Sequence, residues 1–434
     1  MRIHQKDEMK KLLSFLVLAP VLGWGQGVDF ETGLSWQQIL AKAKAENKYI
    51  FVDCYASWCG PCKEMDRDVY PKDSVGQAVN ARFVSVKVQI DTSQKDDAAV
   101  KAWYADAHKL MITYGIRIFP SYLFFSPDGK TLHREVGYQT VSRFVGLIAT
   151  ALDPAKQFYT QLAALHVNPD GAITATLANQ AKYLGDITLA DSIASGYLHN
   201  YLDKLSREDL LTKANLTFVS RFSKTLLSQE PVFQVIFQNR GLADSIVDDS
   251  SFSKRLINTI AAKEEITPKI EEAKADNGSP AWGAMADRIK RKFGQAYVEE
   301  NIIAAKVKWY QYKQDWQNYT KYLVLQTDVV GVENMAKGHI GILVLNNRAW
   351  EIFQYSQDKK ELIKAVSWVD MAIQMDPKPN SGILDTKANL LYKLGKKEEA
   401  IALEKKSIDL DPGNKELKDD LDKMLHGLPT WVSR

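Results

Sequence analysis

Trp58-Cys59-Gly60-Pro61-Cys62 follows an apolar run at residues 49–52 and precedes a helix-compatible segment at residues 63–69. A continuous apolar run is typical of a strand that is buried on both faces of a sheet. The two cysteines therefore lie where a buried strand ends and a helix begins. At a helix N-terminus, backbone N–H groups and the helix dipole stabilise an anion such as a thiolate. This position favours Cys59 as a nucleophile.

The spacing of the two cysteines suits dithiol–disulfide exchange. The thiolate is the attacking species, and Cys59 would form a mixed disulfide with its substrate. Cys62 lies one helical turn later, so it can attack the same sulfur and release that mixed disulfide. Pro61 lacks a backbone N–H and is tolerated in the first turn of a helix. We therefore predict that Cys59 is the nucleophile and Cys62 the resolving residue, with their redox-active disulfide in place of a bound cofactor.

Cysteine and histidine usage argues against other roles for the pair. The chain has three cysteines, all between positions 54 and 62, and seven histidines scattered from His4 to His426. A zinc site needs further ligands that this distribution does not offer, so no metal site is predicted. A structural disulfide that closes so short a loop would gain little chain entropy. Redox chemistry is the favoured interpretation.

The segments around the cysteines alternate between strand and helix patterns. Strands are predicted at residues 49–52, 82–90, 121–125 and 132–136, and helices at residues 35–46, 96–114 and 141–152. Ser35 and Gln38 fit a capping box at the start of the first helix. Strands that alternate with helices and then form a hairpin indicate an α/β domain of roughly 120 residues.

Further residues extend this pattern to a known family. Asp53 lies six residues before Cys59, Lys87 lies on the next long strand, Tyr114–Pro120 leads into another strand, and Gly137 follows the hairpin. Together with the cysteine motif, these residues resemble the thioredoxin family. The resemblance covers residues 28–152. It implies the thioredoxin fold, a central mixed sheet flanked by helices, and thiol–disulfide oxidoreductase activity.

The resemblance also implies roles for individual residues. Asp53 would be a buried acid that accepts the proton of Cys62, and Lys87 would lie beside it and modulate it. Burial of Asp53 should raise its pKa and fit it for proton transfer. A cis bond before Pro120 would bend the chain toward the cysteines. The residues implied to contact substrate are Trp58, Gly60, Pro61, Phe119 and Pro120.

Three features depart from the family pattern. Phe119 stands where the family usually has a smaller residue, so the choice of substrate is open. The segment 91–110 is longer than in a minimal thioredoxin. Cys54 stands where an aromatic residue is common, and on a buried strand we expect it to be an inert core thiol.

The first 25 residues have the pattern of a secretory signal peptide. Basic residues up to Lys11 precede an apolar run from Leu12 to about Leu22, and small residues follow near Gly25. This run is shorter than the roughly 20 residues that a membrane span needs. We therefore expect an exported protein, periplasmic or extracellular. A retained anchor or an ordinary buried segment is the alternative.

Beyond the α/β region, helical periodicity replaces the strand pattern. Residues 365–377 and 400–412 repeat with an offset of 35 positions, each after another predicted helix. Paired helices with this period resemble tetratricopeptide repeats. We expect an all-α helical-repeat region, with a helical domain at residues 153–340 and tetratricopeptide-like repeats at residues 341–428. The Trp and Tyr residues at positions 309–322 are expected to pack between helices rather than bind a peptide.

Two functions of different classes fit these features. The first is an exported oxidoreductase acting on protein disulfides. Its Gly-Pro dipeptide is that of thioredoxin, at the reducing end of the family, which favours a reductase or isomerase over an oxidase. In an oxidising compartment a reductase needs an electron donor, expected to be a membrane thiol–disulfide reductase. The alternative is a scaffold or chaperone whose helical repeats bind peptides or proteins, with the redox domain accessory. A net charge of +3 gives no reason to expect a nucleic-acid partner.

Overall fold

The structure is a computed structural model that describes residues 27–165, 171–335, 338–376, 378 and 380–431. The expected signal peptide at residues 1–25 lies outside the described residues. The chain divides into two compact units, residues 1–201 and residues 202–434. Within the described residues, no helix combines the length and the apolar character that crossing a membrane would require.

The first unit is built on a five-stranded mixed sheet with the strand order β1-β3-β2-β4-β5. The strands are β1 Phe30–Glu31, β2 Tyr49–Tyr55, β3 Phe83–Gln89, β4 Ser121–Phe125 and β5 Thr131–Val136. β1, β3 and β2 are parallel, whereas β4 and β5 run antiparallel to their neighbours. The apolar run that the sequence placed at 49–52 continues as buried strand to Cys54, since β2 lies in the middle of the sheet.

Helices cover both faces of this sheet. In the first unit they are α1 Trp36–Glu46, α2 Gly60–Glu64, α3 Asp73–Val79, α4 Ala98–Ala102, α5 Tyr104–Thr113, α6 Val141–Leu152, α7 Phe158–Leu165, α8 Gly171–Tyr183 and α9 Ile187–Asn200. Buried residues of α1 and α5 pack with Ile50, Val52 and Cys54 on one face. Those of α3 and α6 pack with Phe51 on the other face. The predicted mixed sheet flanked by helices is confirmed.

Local signals fix the start of α1. The Ser35 side chain accepts a hydrogen bond from the backbone of Gln38, and the Gln38 side chain accepts one from the backbone of Ser35. This is the capping box that the sequence predicted, and it satisfies two donors that the helix itself leaves free. The helix ends at Asn47, whose φ of 51° is left-handed.

The single helix predicted at residues 96–114 is wrong, because α4 and α5 are separate and meet at Trp103. The Trp103 indole N–H donates to the Leu34 carbonyl at 3.0 Å, and its ring packs edge-on against Trp36 at 6.4 Å. These tertiary contacts anchor the residue at which the two helices meet. After the cysteines, α2 continues into a π-helical turn at Met65–Val69.

Three helices beyond residue 153 belong to the same compact unit as the sheet. The backbone N–H of Phe158, at the start of α7, donates to the buried His133 side chain on β5 at 3.1 Å. Arg134, also on β5, donates to the carbonyl of Leu184 between α8 and α9. The domain limits expected from the sequence, at residues 153–340 and 341–428, stay predictions.

The second unit is helical in its described residues, as predicted for this part of the chain. Its helices are α10 Arg207–Leu210, α11 Lys213–Arg221, α12 Pro231–Gln238, α13 Arg240–Val247, α14 Phe252–Ala261, α15 Thr267–Ala275, α16 Trp282–Phe293, α17 Val298–Lys313, α18 Trp316–Val330, α19 Val332–Met335, α20 Gly338–Tyr355, α21 Lys359–Met375, α22 Ser381–Lys393, α23 Lys397–Leu410 and α24 Lys415–His426. Consecutive helices from α20 to α24 pack against one another. Their assignment as tetratricopeptide-like repeats stays a prediction.

The aromatic run at residues 309–322 packs between helices. The rings of Tyr310 and Tyr322 stack with their centroids 5.4 Å apart, joining α17 to α18. Trp316 stacks on Tyr355 of α20 at 4.1 Å. These rings belong to or border one core cluster of the second unit. The contacts confirm the packing interpretation for Tyr310, Trp316 and Tyr322, whereas Tyr312 is 54% exposed.

Candidate active site

Cys59 and Cys62 form a disulfide at the junction between β2 and α2. Cys59 caps the N-terminus of α2, and its sulfur accepts a hydrogen bond from the backbone N–H of Cys62 at 3.1 Å. Pro61 occupies the first turn of the helix, where its missing N–H costs no bond. The predicted cysteine pairing is therefore present, on the element boundary that the sequence indicated.

A carboxylate that the sequence reasoning missed holds the loop before the cysteines. Asp91, two residues after β3, accepts a hydrogen bond from the backbone N–H of Ser57 at 2.8 Å and another from its hydroxyl. Because β2 and β3 are parallel neighbours, their carboxyl ends lie at the same edge of the sheet. An acid just beyond β3 is the signal that could have identified this contact.

Aromatic side chains surround the disulfide. Cys59 is only 2% exposed and packs with Ala56, Cys62 and the half-buried Phe119. Trp58 is 69% exposed, and its ring meets that of Phe119 edge-on at 5.7 Å. The large residue before Pro120 thus packs against the cysteines and beside Trp58, so it can affect which substrates reach the sulfur of Cys59.

Pro120 lies beside the cysteine loop because of the register of the sheet. The Phe119–Pro120 peptide bond is cis, as the sequence predicted. Ser121, the next residue, pairs with Cys54 on β2. The Pro120 carbonyl accepts a hydrogen bond from Gly137 at 2.8 Å, and Gly137 has a φ of 82°, which favours glycine.

Asp53 is a buried carboxyl on β2, paired in register with Lys87 on one side and Tyr122 on the other. Its Oδ2 lies 3.5 Å from the Lys87 ammonium. Its Oδ1 accepts no hydrogen bond from the described residues. Burial raises the pKa of Asp53 to about 6, and the positive charge of Lys87 limits that rise. The structure buries Asp53 as predicted, and its role as a proton acceptor stays a prediction.

Lys87 is held by carboxylates and aromatic rings. It contacts Asp66 as well as Asp53. Its ammonium lies 5.6, 5.1 and 5.3 Å from the ring centroids of Phe30, Tyr55 and Tyr70. Cations over aromatic faces are attracted by the ring quadrupole. The predicted proximity of Lys87 to Asp53 is present, whereas its tuning role stays a prediction.

Asp66 was missed from the sequence. It lies in the π-helical turn, four residues after Cys62, where helical spacing places it on the same side of the helix as that cysteine. Its carboxylate shares Lys87 with Asp53. The spacing from Cys62 was a signal for it, but its contact with Lys87 depends on how the helix packs against β3.

Cys54 takes no part in the disulfide. It is fully buried in the core on the α1 and α5 side of the sheet, with its thiol free. Burial raises the pKa of this thiol well above its usual range, so little thiolate forms. The prediction of an inert core thiol agrees with this setting.

Comparison with known proteins agrees with this geometry. Residues 36–152 match the protein family described as a thioredoxin-like domain. This part of the chain has a thioredoxin-like fold. The chain is 32% identical over 111 residues to the thiol:disulfide interchange protein DsbD of Pseudoalteromonas atlantica, a match that covers 25% of this chain. It is 29% identical over 92 residues to a thioredoxin of Mycoplasmoides gallisepticum, covering 21% of this chain and 73% of that protein.

The matches to DsbD proteins cover 22–25% of this chain. The match spans 17% of the length of the Pseudoalteromonas DsbD, and 14% and 16% of the DsbD proteins of Pseudomonas fluorescens and Colwellia psychrerythraea. A solved structure described as DsbH oxidoreductase aligns with 33% of this chain and 94% of its own chain, at 20% identity and a TM-score of 0.26.

Proposed function

We propose that the protein is an exported thiol–disulfide oxidoreductase that acts on protein disulfides through Cys59 and Cys62. The observation that carries this proposal is a disulfide at the start of a helix, with a cis-proline loop beside it and a buried acid on the strand that leads to it. Export rests on the signal-peptide pattern of the first 25 residues.

The exchange conserves electrons and atoms. In the reduced protein the Cys59 thiolate attacks one sulfur of a substrate disulfide, the substrate S–S bond breaks, and one substrate thiolate leaves. The Cys62 thiolate then attacks the sulfur of Cys59, so that the Cys59–Cys62 disulfide forms and the second substrate thiolate leaves. Two electrons pass to the substrate, and its two sulfurs take up protons.

Asp53 supplies the proton acceptor for the second step. Cys62 can attack only after its thiol loses a proton. A carboxylate with a pKa of about 6 is ionised at neutral pH, yet it is a stronger base than an ordinary aspartate. Its Oδ1, without a hydrogen bond in the described residues, can take the proton. The positive charge of Lys87 limits the rise in the pKa of Asp53, so the carboxylate stays the dominant form at neutral pH.

A reductase or isomerase fits the motif better than an oxidase. The Gly-Pro dipeptide between the cysteines is that of thioredoxin, whose potential is about −270 mV. A reductase in an oxidising compartment must be reduced again after each cycle. The donor would be a dithiol of a membrane thiol–disulfide reductase, which becomes a disulfide as it restores Cys59 and Cys62.

A second function is favoured by the packed helices of the second unit. Helices α20 to α24 pack in sequence, each on the next, as stacked helix pairs do in repeat proteins. Stacked pairs of this kind can bind a peptide or a protein. The second unit would then act as a scaffold or chaperone, and the redox domain would be accessory to it.

The reduction potential of the Cys59–Cys62 pair tests the direction of electron flow and whether the pair cycles at all. The full chain without its signal peptide is equilibrated in dithiothreitol or glutathione buffers, and thiols are then trapped and counted. A value of about −270 mV supports a reductase, whereas about −120 to −180 mV supports an oxidase or isomerase. A pair that does not cycle overturns the enzyme proposal. A Cys59→Ser variant that loses turnover but keeps its partners assigns the chemistry to the disulfide.

A further inference from the structure

The helical hairpin α8–α9 is fixed to the sheet next to the disulfide. Arg134 on β5 is 1% exposed, and its guanidinium donates to the Leu184 carbonyl at 2.9 Å and also to the Tyr114 carbonyl. The Tyr183 hydroxyl donates to the Val136 carbonyl at 3.2 Å. A buried guanidinium without a hydrogen-bond acceptor destabilises the folded protein. The bonds from Arg134 and Tyr183 therefore hold the hairpin turn against β5 and the loop before Pro120.

The tip of this hairpin touches the cis-proline loop. Gly185 has a φ of 80°, and a Cβ on it would lie 3.3 Å from the Ile118 side chain. Glycine therefore suits the turn and allows this close approach. Ile118 stands two residues before Pro120, so the hairpin borders the surface that approaches the cysteines.

Five exposed apolar side chains and the half-buried Phe119 lie on the disulfide loop, on the cis-proline loop, after β5 and on the hairpin. We name as the apolar strip the residues Trp58, Ile118, Phe119, Tyr138, Tyr183 and Ile187. Three contacts place parts of the strip near one another. Trp58 packs against Phe119, and Ile118 lies beside Gly185, which stands between Tyr183 and Ile187. The Tyr183 hydroxyl donates to the carbonyl of Val136, two residues before Tyr138. Trp58, Tyr183 and Ile187 are 69%, 57% and 51% exposed. Contiguous exposed apolar residues on a protein surface mark an interaction site.

The position of the disulfide at one end of the strip indicates which kind of partner the strip would bind. A partner that reacts with Cys59 presents its own cysteine there, and the residues flanking that cysteine lie over the strip. In a native protein such flanking apolar residues are largely buried. In a partly unfolded chain they are exposed and can transfer from water onto Ile118, Tyr183 and Ile187.

We propose that the apolar strip extends the substrate surface onto the α8–α9 hairpin, where it binds an extended, apolar segment of a partly unfolded protein that carries a cysteine. This inference rests on the proposed function and gives it a substrate class. It assigns a role to helices beyond the residues 36–152 that match the thioredoxin-like family.

The test compares two peptides and one small disulfide with the full chain. Both peptides carry a single cysteine as a mixed disulfide with glutathione, flanked by Leu and Phe in one and by Ser and Gly in the other. The small disulfide, 5,5′-dithiobis(2-nitrobenzoic acid), has no peptide segment that could lie along the hairpin. The protein is reduced and then freed of excess reductant, and kcat/KM for each probe is measured as the second-order rate constant of a single turnover.

Ile187→Glu is the decisive variant. Ile187 is the first residue of α9, and an acidic residue in a first helical turn is favourable, so the helix is kept. We expect the wild-type protein to prefer the apolar peptide. The variant should lower kcat/KM for that peptide by about ten-fold and leave the polar peptide and the small disulfide unchanged.

Ile173→Glu is the matched control. Ile173 is 42% exposed and lies near the start of α8, about ten residues and thus about 15 Å along the helix from Tyr183. The same substitution there should leave all three probes unchanged. Ile118→Glu, on the loop rather than the hairpin, is a second variant that should reproduce the loss for the apolar peptide.

The outcomes separate the two proposals. An unchanged preference in both Ile187→Glu and Ile118→Glu overturns the apolar strip as a substrate surface, while turnover of the small disulfide still supports the oxidoreductase. A shift of oligomeric state in Ile187→Glu without a change in peptide preference also overturns it, because the strip would then bind a second copy of the chain. Failure of the wild-type protein to turn over the small disulfide overturns the proposed function itself.

Discussion

Two opposing effects set the pKa of Asp53. Removal from water disfavours its charged form, and the ammonium of Lys87 favours it. Burial is the stronger effect because Lys87 is 3.5 Å away and shares its charge with Asp66. The result is a carboxyl that titrates near neutral pH, where a base for a thiol is most effective.

Replacing Asp53 with asparagine should stabilise the fold at neutral pH. Its pKa rises from 3.8 to about 6 on folding, so the folded state holds this proton more tightly than the unfolded state. The folded chain therefore loses stability as pH rises from about 4 to about 6, by about 3 kcal/mol in total. Asp53→Asn should recover up to that amount at pH 7 and little of it at pH 4, measured by urea unfolding of the oxidised protein.

The control for this prediction is Asp128→Asn. Asp128 lies in an exposed turn, where a hydrogen bond from Ser126 lowers the pKa of its carboxyl. Its replacement should give no gain that grows with pH. A gain from Asp53→Asn that is the same at pH 4 and pH 7 would contradict the assignment of the raised pKa to Asp53.

The sequence predicted those site residues whose roles are fixed by their position along the chain. Cys59 and Cys62 follow from their spacing, and Asp53 and Pro120 from the positions that the resemblance to the thioredoxin family gives them. Asp66 and Asp91 were missed because each acts through a side chain brought close only by packing of separate elements. Spacing alone does not specify such contacts.

At the level of elements, the last three helices meet around buried carboxyl groups. Glu404 on α23 is fully buried, with Asp385 on α22 and Asp420 on α24 as its charged neighbours. Burial and the repulsion between these carboxyls raise the pKa of both Glu404 and Asp385. Glu416 of α24 adds to the raised pKa of Asp385, and Lys423 pairs with Asp420. The packing of α22 on α23 therefore favours the protonated forms of Asp385 and Glu404.

This arrangement predicts that the second unit loses stability in mild base. A carboxyl whose pKa is raised on folding contributes full stability below its unfolded pKa, and this is lost as pH rises through the raised value. Glu404→Gln keeps the shape but cannot ionise. We expect its stability to exceed that of the wild-type protein increasingly from pH 6 to pH 9, measured by calorimetry of the full chain.

Glu399→Gln on the same helix is the matched control. Glu399 is exposed and lies 3.5 Å from Lys396, a surface pair of small energetic weight. Its replacement should not change how stability varies between pH 6 and pH 9. Parallel curves for Glu404→Gln and the wild-type protein would argue against a proton shared among the buried carboxyls.

Elements with a strong local pattern were predicted accurately. The strand Ser121–Phe125 and the helix Val141–Leu152 have the bounds that the sequence indicated. The break between α4 and α5 at Trp103 was not predicted, because the contacts of that residue lie on α1 and on the loop before it. The π-helical turn at Met65–Val69 was not predicted either, because the helical pattern used for the sequence assumes 3.6 residues per turn.

For the whole molecule, the cysteine pair lies in the first compact unit, which extends beyond the residues that match the family. Residues 36–152 carry the thioredoxin-like domain, yet the compact unit extends to Tyr201. Helices α7 to α9 supply acceptors and donors that buried groups of β5 require, as at Arg134 and His133. They are therefore part of the folded unit rather than a linker to the second one.

Truncated chains test whether the stability of the first unit depends on helices α7 to α9. A chain ending at Tyr201 should keep the turnover of a small disulfide. A chain ending at Leu152 should be less stable by about 2 kcal/mol or more, because β5 would lose the hydrogen bonds that Arg134 donates to the Leu184 carbonyl and that His133 accepts from the Phe158 N–H. Thermal unfolding of the two fragments measures this. Equal stability would mean that α7 to α9 are dispensable for the fold.

Because Cys54 is buried and outside the disulfide, its thiol can serve as an internal standard when the oxidation state of Cys59 and Cys62 is measured. A mass-tagging alkylator applied to the denatured protein should label Cys59 and Cys62 when they are reduced and neither when they are joined. After denaturation Cys54 also becomes reactive, adding one tag to every molecule whatever its history. Molecules quenched directly in growing cells would therefore separate on a gel by oxidation state, and the single tag on the oxidised form would show that labelling had gone to completion.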